Sequence, residues 1–290
     1  MVTLETAENA LKQVYIGVIA NQLNCNTNPL LAKIKQSTAD VYGDKIIKVP
    51  SWQRNYEDNP LFEQELANMY GSIEITDKAI RCSQNSAGAF VNLLNDNIEQ
   101  MLKETQVDLS LALFAKSNYT KFIGLENLFD KKQKTLYGLD KKKYKELQAV
   151  CLEEEKITPY RLMEIIDNYN DEVDLIICGK KILRDYKQYL LDRNQNIETI
   201  NLSGGFKGLG FNGVPMVADK FINDNEMYLL NTKDFEFKQL CDWSWLENES
   251  GKIITQVSGK PVYKATIVKY GNLICDNPSK QIKITIKQKG

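Results

Sequence analysis

From position 85 to about 116 the chain runs without a proline and with one glycine, Gly88. Phe90, Leu94, Ile98, Met101, Thr105, Leu109 and Ala112 trace one stripe at three- and four-residue spacing, while Asp96, Glu99, Gln100, Lys103 and Glu104 fall mostly off it. That pattern predicts a single amphipathic helix, with Ser83, Asn85 or Ser86 available to cap it. At 1.5 Å per residue it would run on the order of 45 Å, long enough to cross a whole domain.

The segments before this helix differ in kind. Leu4, Ala7, Leu11, Val14, Tyr15, Val18 and Leu23 recur with helical spacing until Asn24, Asn26, Thr27, Asn28 and Pro29 break the pattern. Such a terminal helix can dock on its own core or on a neighbouring subunit. Residues 40–70 carry Pro50 and Pro60, many polar groups and scattered aromatics, which disfavours a continuous helix or a central strand. A long loop is expected there. Trp52, Tyr56, Leu61 and Phe62 on it either cover the protein's own core or mark a contact surface. Ile73 and Ile75, alternating with Ser72 and Glu74, predict a strand.

Beyond the long helix, residues 121–145 carry eight lysines. They read as a solvated face, with a polyanion or the acidic run Glu153-Glu154-Glu155 of a neighbour as alternatives. Thr158-Pro159 then looks like an N-cap with proline at the first helical position. Leu162, Ile165, Ile166 and Tyr169 form a helical face, residues 173–177 a buried strand, and Ile182, Leu183, Tyr186, Tyr189 and Leu190 a second helix after Gly179. This alternation suggests layered α/β packing. The glycine-rich run 203–213 has neither a P-loop nor a dinucleotide fingerprint, so a tight loop or bulge between strands is expected. Strands are predicted at 214–219, 227–230, 235–240, 252–257, 261–275 and 281–288.

Composition closes off functions more than it opens them. Histidine is absent, which removes imidazole bases, imidazole metal ligands and His-assisted nucleophiles. The six cysteines form no CxxC pair, so neither a zinc ribbon nor a dithiol redox site is indicated. Thirty-seven basic residues against 38 acidic ones argue against a protein that wraps nucleic acid over its whole surface. No run of 18 apolar residues offers a membrane span. No cofactor, metal site or catalytic residue is expected.

The order of parts, and the phrases TAENALKQVY (6–15), NTNPLLAKIKQ (26–36), YGSIEITDKAIRCSQNSAGAFVNLLN (70–95), GGFKGLGFNGVPMVADKF (204–221), YLLNTKDFEFKQLCDWSWL (228–246) and GKPVYKATIVKYGNLIC (259–275), resemble major capsid proteins of tailed bacteriophages. The resemblance spans nearly the whole chain. It implies an α+β, Hong Kong 97-like capsid fold. Residues 1–35 would be an N-terminal arm and 43–69 an extended loop over an adjacent subunit. Residues 36–42, 70–155 and 251–290 would form a peripheral domain and 156–250 an axial domain. On this footing Trp52, Tyr56, Leu61, Phe62, Leu11 and Tyr15 are the candidate inter-subunit contacts.

The same resemblance implies a non-enzymatic function, self-assembly as hexamers and pentamers into an icosahedral shell around double-stranded DNA. Its partners would be further copies of itself, a portal protein, decoration proteins where a shell carries them, and packaged DNA touched without sequence preference. Because the arm begins at Met1, a separate scaffolding protein is expected. Assembly would take place in the bacterial host cytoplasm, with the product in the virion. Encapsulin compartments share the fold and are the alternative, with a small-molecule-binding α/β protein or enzyme as the rival from another class.

Overall fold

The computed structural model describes residues 4–83, 86–114, 119–170 and 172–287. The spine is the 28-residue helix Ala87–Phe114. Phe90, Leu94, Ile98, Met101, Thr105, Leu109 and Ala112 are buried along it and the five off-stripe polar residues are exposed, so the phase matches the sequence pattern. Ser86 caps it by accepting from the Ala89 amide (3.3 Å). Ser83 instead turns its hydroxyl to the carbonyls of Ala79 and Ile80, in the preceding helix Asp77–Ser83. Asn85 and residues 115–116 lie outside the described residues.

Under the spine lies a five-stranded sheet built on the strand Val262–Cys275, which pairs antiparallel with Phe235–Trp245 and with Ala67–Thr76. Lys35–Thr38 adds a parallel edge, and Thr255–Gln256 is all of 252–257 that pairs. Residues of Ala67–Thr76 alternate strictly between buried and outward positions, as Ile73 and Ile75 predict. A Cβ at Gly71 would come 2.3 Å from the Thr105 hydroxyl, so this glycine lets the spine approach the strand closely.

The arm is helical over Leu4–Ala10 and Ile16–Cys25, joined by a π-helical stretch, Leu11–Tyr15. Its buried residues are Ala7, Leu11, Ile19 and Leu23, whereas Val14 and Val18 are 64% and 54% exposed. The inward residues are therefore spaced by fours. In a pure α-helix, four-residue steps drift by roughly 40° each, and the wider π turn absorbs part of that drift. A uniform helical reading cannot see this, which is why it places Val14 and Val18 on the inner stripe.

A second, seven-stranded sheet runs in the order Thr199–Asn201, Lys207–Phe211, Val214–Ala218, Leu175–Cys178, Glu226–Leu230, Ile282–Ile286, Val150–Glu154. Helices Pro159–Tyr169 and Lys180–Asp192 cover one face, where Leu162, Ile165 and Ile182 pack on Ile176, Met216, Leu229 and Ile284. Leu175, Ile177, Val217, Tyr228 and Leu230 point from the opposite face into the core shared with the spine. Thr158 caps the first helix as its sequence predicts, accepting from the Arg161 amide. The glycine-rich run becomes a hairpin whose turn residues Asn212 and Gly213 both take positive φ (49° and 81°).

Sheet membership crosses the boundaries expected between the parts of the chain. Val150–Glu154 and Ile282–Ile286 belong to the second sheet, although 70–155 and 251–290 were expected on the other side. Phe235–Trp245 belongs to the first sheet, although it falls within 156–250. Strand pairing, which joins residues 132 positions apart in the register Ile282 to Val150, overrides contiguity. Residues 40–65 also depart from a plain loop, since Asp40–Tyr42, Lys45–Lys48 and Phe62–Glu65 form a three-stranded antiparallel sheet.

Candidate subunit-contact surfaces

The aromatic residues of the 50–62 segment face inward. Trp52 and Phe62 are buried, with ring centroids 5.7 Å apart, and Trp52 also meets Tyr56 at 5.6 Å and Tyr144 at 5.6 Å. Phe62 continues the cluster to the buried Tyr137 at 5.0 Å. These edge-to-face and tilted contacts suit the ring quadrupoles. Polar groups hold the segment down: the Trp52 indole donates to the Asp276 carbonyl (2.8 Å) and the Ser51 amide to the Asp276 carboxylate (3.1 Å). The Tyr56 hydroxyl donates to Glu146 (2.6 Å) and the Tyr144 hydroxyl to Asp58 (2.5 Å), which also pairs with Lys143.

The residues expected to touch a neighbour therefore divide. Trp52, Phe62 and Leu11 are core residues of their own subunit, and Tyr56 packs against that core. The Leu11 carbonyl accepts from the Trp245 indole (3.0 Å), tying the arm to the first sheet. Tyr15 is half-buried and donates to Asn95 on the spine (2.7 Å). Leu61 alone of the six is exposed. Aromatic content on an irregular segment does not tell an inward anchor from an outward one; only the partners at Tyr137, Tyr144 and Asp276 do.

Further outward apolar residues lie elsewhere. Val41 and Tyr42 stand at the tip of the small sheet, beside Gly43, and Tyr42 is 82% exposed. Val14 and Val18 occupy the outer side of the arm. On the helices of the second sheet, Tyr160, Met163 and Leu191 face out. Tyr160 and Met163 sit three apart, off the Leu162/Ile165 stripe, a spacing visible in the sequence.

Between those two helices lies a groove of about 1190 Å³. Its apolar lining includes Leu162, Ile182, Tyr186 and Met216, and its rim carries Lys156, Lys181, Asp185, Asp192 and Arg193. Among the described residues there is no group of three or more cysteine and acidic side chains placed to hold a metal.

The lysine-rich stretch is not one uniform face. Lys131, Lys132 and Lys134 are exposed, whereas Lys121 pairs with Glu65 and Lys143 with Asp58. Lys141 is drawn in and donates to the carbonyls of Leu128 (3.2 Å) and Asp130 (3.1 Å), and burial pulls its pKa down. In the acidic run, Glu153 pairs with Lys287 and Glu154 with Arg161 of the same subunit.

No protein-family model matches the sequence, and no curated protein matches it. Solved structures do, over nearly the whole chain. A cyanophage A-1(L) capsid subunit aligns with a TM-score of 0.62 at 13% identity, covering 92% of both chains. An encapsulin complex from Synechococcus elongatus PCC 7942 aligns at 0.57 with 12% identity, over 90% of each chain. The capsid of an empty GTA particle aligns at 0.56 with 10% identity, over 90% of each chain. The chain has the α+β fold of these shell subunits, the Hong Kong 97-like fold.

Proposed function

We propose that this protein is the major capsid protein of a tailed bacteriophage, assembling as hexamers and pentamers into the icosahedral head that encloses double-stranded DNA. The observation that supports this most is the end-to-end match to a phage capsid subunit, covering 92% of both chains. The architecture suits the task. A long spine and two interlocked sheets make a rigid body, while the arm and the small sheet of residues 40–65 project features that can adjust to a neighbour. Shell contacts of a standard interface, roughly 1,600 Å² each, are shared among several neighbours.

On this reading the arm is residues 1–35, the extended loop is 43–69, and the second sheet with its helices is the axial domain. Contacts with other copies are made by Leu61, Val41 and Tyr42 from the loop side, by Val14 and Val18 on the arm, and by Tyr160, Met163 and Leu191. Trp52, Tyr56, Phe62 and Leu11 act beneath that surface by holding the loop and arm in shape. A scaffolding protein assists assembly, a portal occupies one vertex, and DNA meets the inner face without base readout. The protein needs no catalytic residue.

The test is coexpression with the cognate scaffolding protein, followed by sedimentation and electron microscopy. Closed shells or free capsomers are expected; a dispersed monomer at high concentration with scaffold present overturns the proposal. The encapsulin alignment favours a second reading, a protein compartment. Particles taken from the native source decide between them: packaged DNA supports the head, an enclosed protein cargo supports the compartment.

A further inference from the structure

Residues 130–145 form a hairpin that is anchored by its tip. The strands Thr135–Leu136 and Leu139–Asp140 are joined through Tyr137 and Gly138, both at positive φ (50° and 78°), and Leu136 and Tyr137 are buried. The Tyr137 hydroxyl accepts from the Cys275 amide (2.9 Å) and donates to the Leu273 carbonyl (3.3 Å), while the Tyr137 carbonyl accepts from the Glu63 amide (2.9 Å). The open end is left at the surface. There the Lys141 amide donates to the Lys134 carbonyl (2.9 Å), and the Lys141 amino group crosses to the carbonyls of Leu128 and Asp130, tying the two legs together. Lys131, Lys132, Lys134 and Lys142 stand exposed around this junction.

Seven lysines against two aspartates give residues 130–145 five net positive charges, in a chain whose net charge is −1. The two aspartates are engaged by the backbone: Asp130 accepts from the Lys132 amide (2.8 Å) and Asp140 from the Lys142 amide (2.8 Å). Among the described residues, the amino groups of the four exposed lysines have no hydrogen-bond or ion-pair acceptor. Like charges held this close repel one another, more strongly as salt falls, and a polyanion relieves that repulsion. The composition narrows the polyanion further. The segment has no arginine, and its two tyrosines, Tyr137 and Tyr144, are buried. Arginine forks read base edges and exposed aromatics stack unpaired bases. Lysines without either suit the backbone of a duplex, met as charge alone.

We propose that Lys131, Lys132, Lys134 and Lys142 form a docking surface for the phosphate backbone of double-stranded DNA. The choice of a duplex rests on the reading of this protein as the subunit of a DNA-enclosing shell. The anchored tip and the Lys141 bridge hold the four amines on a fixed platform, so that binding costs side-chain ordering but no folding of the segment.

The experiment is binding of a labelled random-sequence duplex by the full-length protein, read by fluorescence anisotropy across a salt series. Four phosphate contacts predict a slope of about −3.6 for log affinity against log salt, a loss of roughly 100-fold between about 50 and 200 mM. Lys131→Gln, Lys132→Gln, Lys134→Gln and Lys142→Gln together, checked as folded by circular dichroism, are expected to weaken binding at low salt by about tenfold or more and to flatten the slope. Unchanged affinity and slope overturn the proposal. Lys103→Gln, at an exposed site on the spine, is expected to bind as the wild type does, and an equal loss there overturns the assignment to the hairpin. Displacement of the duplex by polyglutamate as readily as by unlabelled DNA overturns it in favour of an acidic protein partner. Tighter binding of a single strand of the same length overturns the choice of duplex. Coexpression with the scaffolding protein separates this proposal from the capsid reading. The fourfold variant is expected to form closed shells at wild-type yield. A folded variant that forms none, where the wild type does, makes the hairpin a subunit contact and overturns the proposal alone. Failure of the wild type to assemble overturns the capsid reading, and with it the choice of a packaged duplex.

Discussion

The 49–62 segment and the helix pair Pro159–Tyr169 and Lys180–Asp192 both carry large apolar side chains at the molecular surface, and the molecule treats them in opposite ways. The irregular segment turns Trp52 and Phe62 inward and depends on particular polar anchors, above all Asp276 and Glu146. The helices bury one stripe by periodicity and leave Tyr160, Met163 and Leu191 outside. A segment without regular hydrogen bonding stays ordered only if side chains fasten it to the body. A helix satisfies its own backbone and can leave a second face for a partner. Irregular aromatic segments here stabilise the fold, and regular ones keep a face free for a partner.

The spine sets the upper limit of that contrast. Ile98 is buried and Glu99 beside it is exposed, so Ile98→Asp places an unpaired carboxylate in the core and removes most or all of a stability of about 5–15 kcal/mol. Glu99→Ala is expected to change stability by no more than about 0.5 kcal/mol. Chemical denaturation checks both, and equal tolerance would mean the helix phase is wrong.

Next in size is the irregular segment itself. Trp52→Ala empties the centre of the aromatic cluster and leaves the Asp276 carbonyl without its donor, so a loss of about 3–5 kcal/mol is expected. Replacing residues 51–62 by a Gly/Ser bridge is expected to lower the melting temperature of the isolated subunit further. An unaltered melting transition in either variant breaks the comparison, because the segment would then lie free of the core.

The helix pair is expected to answer differently. Met163→Glu and Tyr160→Ser should leave subunit stability within about 0.5 kcal/mol and reduce the yield of closed shells, counted by microscopy. Wild-type shell yield from both variants would remove these residues from the proposed contact surface.

The smallest effect concerns pH. Asp219 accepts from Asn28 (2.8 Å) and from the Phe221 amide (2.8 Å), and burial raises its pKa above 3.8 despite those bonds. The folded state therefore holds this proton more tightly than the unfolded chain. Its contribution to stability is full below 3.8 and is lost as pH rises through the folded value. Asp219→Asn is expected to flatten that decline, measured as stability against pH; an unchanged slope assigns the decline to other groups.

Local periodicity by itself determined the spine and its inward stripe, the capped helix after Thr158 and the strand around Ile73 and Ile75, because each reports a repeat of 3.6 or 2 along contiguous residues, while Val214–Ala218 and Glu226–Leu230 were legible as short apolar runs. The absence of histidine determined which chemistry is closed to the chain. Tertiary structure alone decided that Val150–Glu154 and Ile282–Ile286 pair in one sheet, since register between distant segments leaves no local trace. It also decided that Trp52 and Phe62 point inward, because their partners Tyr137, Tyr144 and Asp276 lie 75 or more residues away in sequence. The meeting of Asn24, Asp242 and Lys269 belongs with these. None of the three is unusual in its own segment, and a helix end, a bulge and a central strand had to converge before these groups could meet.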